Sequence, residues 1–284
     1  MKNIKIKGLL IAVISVLFMT ACSGKSDEVQ RKEDKSGTTT TATVEPVIAK
    51  KSDISKNDLS GLSREKNGYG QGVQTDNRNR TTGALDFNSR YGELNATAID
   101  EDSEKITLTF DQGYENGYTA EILDTLKEKK VKAIFFLLQD YAEKNPELVK
   151  RMIDEGHIVG NHSVHHYSMP GLDQSSCESE IMDFHKYMQE NYDCNMTLFR
   201  PPMGEFSEFS LGVTANCGYS TMLWSFAYAD WDVDNQPDKA QATEKLISAA
   251  HPGAIYLLHS VSQTNAEILG EVIDGIRDEG FEFN

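Results

Sequence analysis

The chain is short of positive charge: its 284 residues carry 28 Lys and Arg against 44 Asp and Glu, a net charge of −16. Setting aside Lys2, Lys5 and Lys7 near the start leaves 25 basic residues against the same 44 acids, or −19. Such a surface repels nucleic acid and anionic headgroups, so nucleic acid is excluded as a partner, and a neutral substrate fits better. Phosphate-binding signatures are missing too, since no GxGxxG and no P-loop follows an apolar run. Cysteine is scarce: beyond Cys22 there are Cys177, Cys194 and Cys217, whose spacing matches no zinc pattern. They are read as structural, with room for one disulfide and a free thiol. Aromatic residues are absent between Phe18 and Tyr69, and Ser23 to Ser60 is rich in Lys, Asp, Ser and Thr. Nothing there offsets the entropy of ordering, so 23–60 is expected to be a disordered tether spanning on the order of 35 Å.

A hydrophobic run from Gly8 to Met19 follows the three lysines and is too short to span a bilayer comfortably. Residues 1–22 therefore have the layout of a signal peptide. The run closes on Met19-Thr20-Ala21-Cys22, which resembles a bacterial lipoprotein signal, in which the cysteine is lipidated and becomes the first mature residue. The expectation is an extracytoplasmic protein attached to the membrane through Cys22, with simple secretion as the alternative.

What remains suits one domain of about 200 residues plus extensions. Residues 61–104 mix glycines, asparagines and scattered aromatics, and are expected to be an irregular segment packed on the domain. From Lys105 a strand–helix alternation runs to the end. Strands are expected at 105–110, 131–137, 157–160, 197–199, 219–224, 254–258 and 281–283. Helices are expected at 117–129, 145–155, 173–190, 207–217, 238–250 and 264–279. Seven strands with helices between them point to an α/β protein, a distorted (β/α)7 barrel with its site at the carboxyl ends of the strands. A doubly wound open sheet is the alternative.

Reactive residues gather at those strand ends. The first strand runs into Asp111-Gln112-Gly113, and the third into Asn161-His162-Ser163-Val164-His165-His166. The fourth ends at Arg200-Pro201-Pro202-Met203-Gly204, the loop after the fifth holds Asp230-Trp231, and the sixth ends at Leu257-Leu258-His259. Five such groups on one rim are hard to explain by packing. His162 and His166, four residues apart on one expected helical turn, can share a metal; His162 and His165 are the weaker alternative.

Taken in order, TFDQG, HSVHH, RPPMG, DW and LLH resemble the five motifs of the NodB-type polysaccharide deacetylases, carbohydrate esterase family 4, over residues 105–284. The string Gly113-Tyr114-Glu115-Asn116-Gly117-Tyr118-Thr119 resembles the peptidoglycan N-acetylmuramic acid deacetylase branch, which prepares muramic δ-lactam in spore cortex. His251-Pro252-Gly253-Ala254-Ile255 and Asn235-Gln236 point the same way. The resemblance implies metal-assisted amide hydrolysis with a divalent ion, zinc by preference, on His162 and His166. It implies Asp111 as general base and His259 as general acid, with Arg200 and Asp230 orienting and tuning them. Met203 would supply a backbone N–H to the oxyanion, and Trp231 and Leu257 would wall the acetyl methyl pocket. Peptidoglycan glycan strands are the implied partner.

One position departs from the family. The common motif has two adjacent aspartates, the second a metal ligand, and here that place holds Gln112. An amide oxygen is neutral and a weaker ligand for a divalent ion. Two rival functions follow: an N-acetylglucosamine or chitooligosaccharide deacetylase, and a glycan-binding pseudoenzyme whose metal site has decayed.

Overall fold

The computed structural model describes residues 58–284. The signal at 1–22 with its Cys22, and most of the 23–60 tether, lie outside the described residues.

In chain order the elements are β1 (Asn67–Gly68), α1 (Thr82–Tyr91), β2 (Ala96–Thr97), β3 (Thr107–Gln112), α2 (Thr119–Lys129), β4 (Ala133–Leu137), α3 (Gln139–Lys144) and α4 (Pro146–Asp154). There follow β5 (Ile158–Asn161), α5 (Gln174–Tyr192), β6 (Leu198–Phe199), β7 (Glu205–Phe206), α6 (Glu208–Asn216) and β8 (Ser220–Met222). The chain closes with β9 (Phe226–Ala227), α7 (Lys239–Ser248), β10 (Ile255–His259) and α8 (Gln263–Asp278). Eight strands pair in the order β2-β8-β6-β5-β4-β3-β10-β9, every pairing parallel. The sheet curls into a half-barrel with flanking helices, the distorted (β/α)7 architecture expected from the alternation. Its edges, β2 and β9, do not pair with each other.

Strand alternation divides the core. Leu108 and Phe110 of β3, Phe135 and Leu137 of β4, and Tyr256 and Leu258 of β10 face the helices. The intervening Ile134 and Phe136, and Ile255 and Leu257, face the interior of the half-barrel. Thr109 and Asp111 share that inner side, so Asp111 sits inside the curl.

The segment 61–104 is more regular than its composition indicates. Ala84, Phe87 and Tyr91 of α1 lie on one helical face and fill the interior beside Phe206 and Ile255. Their rings meet Tyr69 and Phe206 at 5.1–5.3 Å. β2 then joins the sheet edge against β8. Glycine and asparagine on either side of α1 hide its short apolar stripe. The expected last strand, 281–283, is only a single bridge from Phe283 to Ile106. Cys177, Cys194 and Cys217 are free thiols, the first buried and the other two half-buried.

Two glycines are set by close approach. A Cβ on Gly253 (φ 71°) would lie 1.9 Å from the carbonyl oxygen of Asp100, whose own N–H bonds Gly253 O at 3.0 Å. The His251–Ile255 string thus holds the segment between β2 and β3 in place. On Gly160 a Cβ would lie 2.5 Å from the ring of the fully buried Phe136, its partner across β4 and β5. Gly160→Ala is therefore expected to overpack the interior and destabilise by about 1–3 kcal/mol. Thermal unfolding checks this, and an unchanged melting temperature would mean that the Phe136 ring moves at no cost.

Candidate active site

Arg200 follows β6 and is fully buried. A guanidinium in that position needs an acceptor for each N–H group. Its Nε donates to Met222 O (3.0 Å), Nη2 to Leu223 O (3.0 Å), and Nη1 to both Thr109 Oγ1 (2.7 Å) and Asp111 Oδ1 (2.8 Å). The ring of Phe136 lies 4.1 Å from its central carbon. Burial alone would raise the pKa of Asp111, but the Arg200 charge holds it below the usual carboxylate range. Asp111 is therefore an ionised base with Oδ2 still open.

That oxygen faces His162 Nε2 at 3.6 Å. His162 is buried at the end of β5, and its Nδ1 donates to Arg200 O at 2.8 Å, which leaves the Nε2 lone pair free. Burial pushes its pKa down to about 4, so it is neutral at pH 7. The His166 ring lies 5.0 Å from it, and burial lowers the His166 pKa as well. The helical turn expected to carry this pair is absent. Residues 162–168 form a loop in which Ser163 (φ 81°) and His166 (φ 61°) are left-handed. Short polar side chains take over the backbone donors here. Asn161 Oδ1 accepts from Ser163 N (2.8 Å), and Ser163 Oγ accepts from His166 N (2.9 Å). His165 is drawn elsewhere: its N and Nδ1 donate to the buried Glu180 at 2.8 and 2.6 Å. The i,i+3 alternative therefore falls away.

On the other side of Asp111 the β3–β10 register makes His259 its direct neighbour. Asp230, fully buried, accepts from His259 N (2.8 Å) and Nδ1 (2.7 Å). Burial opposes a charge on His259, yet the Asp230 contact prevails and its pKa is raised. The pKa values of two neighbouring groups are thus pushed apart, Asp111 down and His259 up. Sequence reasoning missed Asn265, also buried, which donates to Asp230 Oδ2 (2.6 Å) and His259 O (3.2 Å) and accepts from the Tyr228 hydroxyl. A polar residue on the inward face of α8 is the only trace of it in the sequence.

Among the described residues no group of three His, Cys, Asp or Glu could hold a metal ion. Gln112 accounts for this. Alternation turns it to the same side as Phe110, and its Nε2 donates to Ser260 Oγ at 2.6 Å. Its Oε1 is buried with no hydrogen-bond partner. An orphaned carbonyl oxygen is a donor that an ion or water can satisfy. The two neutral imidazoles fit a divalent ion, but Gln112 lies on the other side of β3 from Asp111, so the expected third ligand is not set toward them. Met203 is left-handed (φ 58°, ψ 8°) with its side chain exposed, and Leu257 is buried in the inner cluster. The Trp231 ring stands 6.1 Å from that of His259.

Residues 98–222 match the family model for polysaccharide deacetylases. Over 200 residues the chain is 44% identical to peptidoglycan-N-acetylmuramic acid deacetylase PdaA of Bacillus subtilis, covering 69% of this chain and 76% of that one. The solved structure of Bacillus subtilis PdaA, a family 4 carbohydrate esterase, superposes with a TM-score of 0.74 at 37% identity. That superposition covers 78% of this chain and 96% of PdaA. A peptidoglycan-N-acetylglucosamine deacetylase, PgdA of Listeria monocytogenes, is 33% identical over 181 residues, 64% of this chain and 38% of PgdA. With Asp111 and His259 set side by side at the mouth of the half-barrel and these likenesses running through it, the chain belongs to the polysaccharide deacetylases, the family 4 carbohydrate esterases, and is a carbohydrate amide hydrolase.

Proposed function

We propose that the chain hydrolyses the N-acetyl group of N-acetylmuramic acid in peptidoglycan glycan strands, releasing acetate as a step toward muramic δ-lactam. The observation that carries this is the opposed tuning of Asp111 and His259 in a chain 44% identical to an N-acetylmuramic acid deacetylase. Asp111 takes a proton from the attacking water, whose oxygen bonds the acetamide carbonyl carbon. His259 gives its proton to the sugar nitrogen as the C–N bond breaks, so acetate and a free amine leave. Arg200 keeps Asp111 ionised and fixes its direction, and Asp230 keeps His259 protonated at Nδ1 with Nε2 toward the substrate. The backbone N–H of Met203 would meet the oxyanion, and Trp231 and Leu257 would line the acetyl methyl. His162 and His166 would hold a divalent ion, zinc by preference for imidazole donors. When bound, it supplies a Lewis acid for the carbonyl.

The protein is further proposed to work outside the cytoplasm, carried by the signal at 1–22 and anchored through a lipid on Cys22. Intact mass of membrane-extracted protein tests the anchor: lipid mass on Cys22 is expected, and its loss in Cys22→Ala. A wild-type protein without lipid mass leaves simple secretion.

Mass spectrometry of stripped glycan strands is expected to find one acetyl lost per muramic acid. Loss from N-acetylglucosamine alone would move the substrate to the rival sugar, and no loss from either would leave a glycan-binding pseudoenzyme. Asp111→Asn is expected to lower kcat roughly 10²–10⁴-fold. Its melting temperature should also fall, because Arg200 loses its counter-charge. Exhaustive chelation should abolish turnover, and full activity with no recoverable metal would refute metal assistance.

The pH profile follows from the two pKa directions. Asp111, lowered, stays a base to below about pH 3.8, and His259, raised, stays an acid to above about pH 6.5. The alkaline limb of kcat/KM should therefore lie above 6.5 and move to lower pH in Asp230→Asn, which removes the charge that raises His259. An alkaline limb unmoved in that variant would exclude His259 as the acid.

A further inference from the structure

Seven large hydrophobic side chains are exposed among the described residues, and five of them lie on loops at the carboxyl ends of strands: Tyr114 after β3, Tyr167 after β5, Met203 after β6, and Trp231 and Val233 after β9. Exposed apolar residues scattered singly are ordinary; five gathered round the mouth of one site are not. The three aromatic ones, Tyr114, Tyr167 and Trp231, are 53%, 51% and 57% exposed.

Each of these rings is exposed on a loop that is pinned. Glu115, beside Tyr114, accepts from Gly117 N (2.6 Å) and from the hydroxyls of Thr119 (2.5 Å) and Tyr141 (2.9 Å). Asn116 donates to Val261 O at 2.9 Å. Tyr167 stacks on His165, with centroids 5.1 Å apart and planes 16° from parallel, and His165 is clamped by Glu180. The Gln236 amide bridges the carbonyls on either side of Trp231, those of Asp230 (3.2 Å) and Asp232 (2.8 Å). Gln236 Oε1 in turn accepts from Ser262 Oγ (2.7 Å) and Thr264 N (3.2 Å). Two of the three pins therefore end on the turn that follows His259. Loops fixed in this way present their rings with less backbone ordering cost left for binding.

We infer that Tyr114 and Tyr167 are stacking platforms for pyranose rings of the glycan strand on the β3–β5 side of the acid, with Trp231 across from them on its β9 side. The inference rests on the deacetylase reading above and names the form of its substrate. A pyranose chair offers C–H faces and carries its hydroxyls at the edge, which matches an uncharged aromatic surface. The length of the rim selects an oligosaccharide. In the sheet order, β5, which precedes Tyr167, and β9, which precedes Trp231, are four strand steps apart, about 19 Å at the usual strand spacing and longer than one sugar ring; β5 and β3, which precede the two platforms, are two steps or about 10 Å apart. The GYENGYT string is thereby explained as a platform residue and its fastening.

The test is KM as a function of glycan length, from disaccharide through tetrasaccharide to octasaccharide, with octasaccharide affinity measured in parallel by calorimetry. In the wild-type protein KM is expected to fall with length. Tyr114→Ala and Tyr167→Ala should each raise the octasaccharide KM and Kd roughly fivefold, as loss of about 1 kcal/mol of stacking implies, and flatten the length dependence. Tyr167→Phe, which keeps the ring, should behave as wild type. Length dependence that survives in both alanine variants overturns the inference, and so does a phenylalanine variant as impaired as the alanine one. The two readings separate cleanly. Turnover with unchanged length dependence leaves the deacetylase and removes the platforms. Octasaccharide binding that needs both rings, with no acetate released, keeps the platforms and removes the deacetylase.

Discussion

A guanidinium with no exposed surface has to be enclosed by acceptors, and Arg200 meets that need by drawing five strands together. Its N–H groups reach Thr109 and Asp111 on β3, Met222 at the end of β8, and Leu223 just beyond it. Phe136 of β4 covers one face, and the Arg200 carbonyl receives His162 at the end of β5. Breaking a buried pair of this kind typically costs about 3–5 kcal/mol, because the partner is left charged and unpaired. Stability and the ionised state of the base therefore depend on the same contact. Gly160 belongs to the arrangement too, since its missing side chain is the space in which Phe136 lies.

Opposite this fixed anion stands a second buried carboxylate with the reverse effect. Asp230 spends its oxygens on His259 and Asn265, so that charge is held on the imidazole. The residues just after His259 then act as a common attachment point. Gln112 reaches Ser260, Asn116 reaches Val261, Gln236 takes Ser262 and Thr264, and Asn265 returns to Asp230. One turn thus locks the acid, the loop after β3 and the loop after β9. Preorganisation of this kind spares the site any rearrangement as charge develops.

Three of the seven non-glycine residues with positive φ among the described residues lie in the same region: Ser163, His166 and Met203, all on loops at the mouth. Each such residue costs on the order of 1–3 kcal/mol and persists only where surrounding contacts over-determine it. Here Asn161, Ser163 and Glu180 supply those contacts for the histidine loop. The two imidazoles consequently meet through a strained loop and not through helical periodicity.

The strand–helix alternation from residue 105, the reactive residues at strand ends and the family likeness were legible in the chain, because each depends on local order. Apolar runs form strands, and a parallel sheet brings their carboxyl ends to one rim wherever the helices go. The pairing of Asp111 with Arg200 and of His259 with Asp230 was legible through ordered motifs alone. Less could be read where partners are remote. Asn116 meets Val261 across 145 positions, and no periodicity encodes such a contact. α1 and β2 were hidden in a segment of unremarkable composition, since their apolar faces have meaning only against the inner side of the sheet. The conformation of the histidine loop and the inward or outward facing of Gln112 were likewise decided by tertiary structure. Local sequence sets which backbone and side-chain groups reach the rim; which acceptor satisfies each of them is settled only when distant strands close around a charge that cannot stay buried alone.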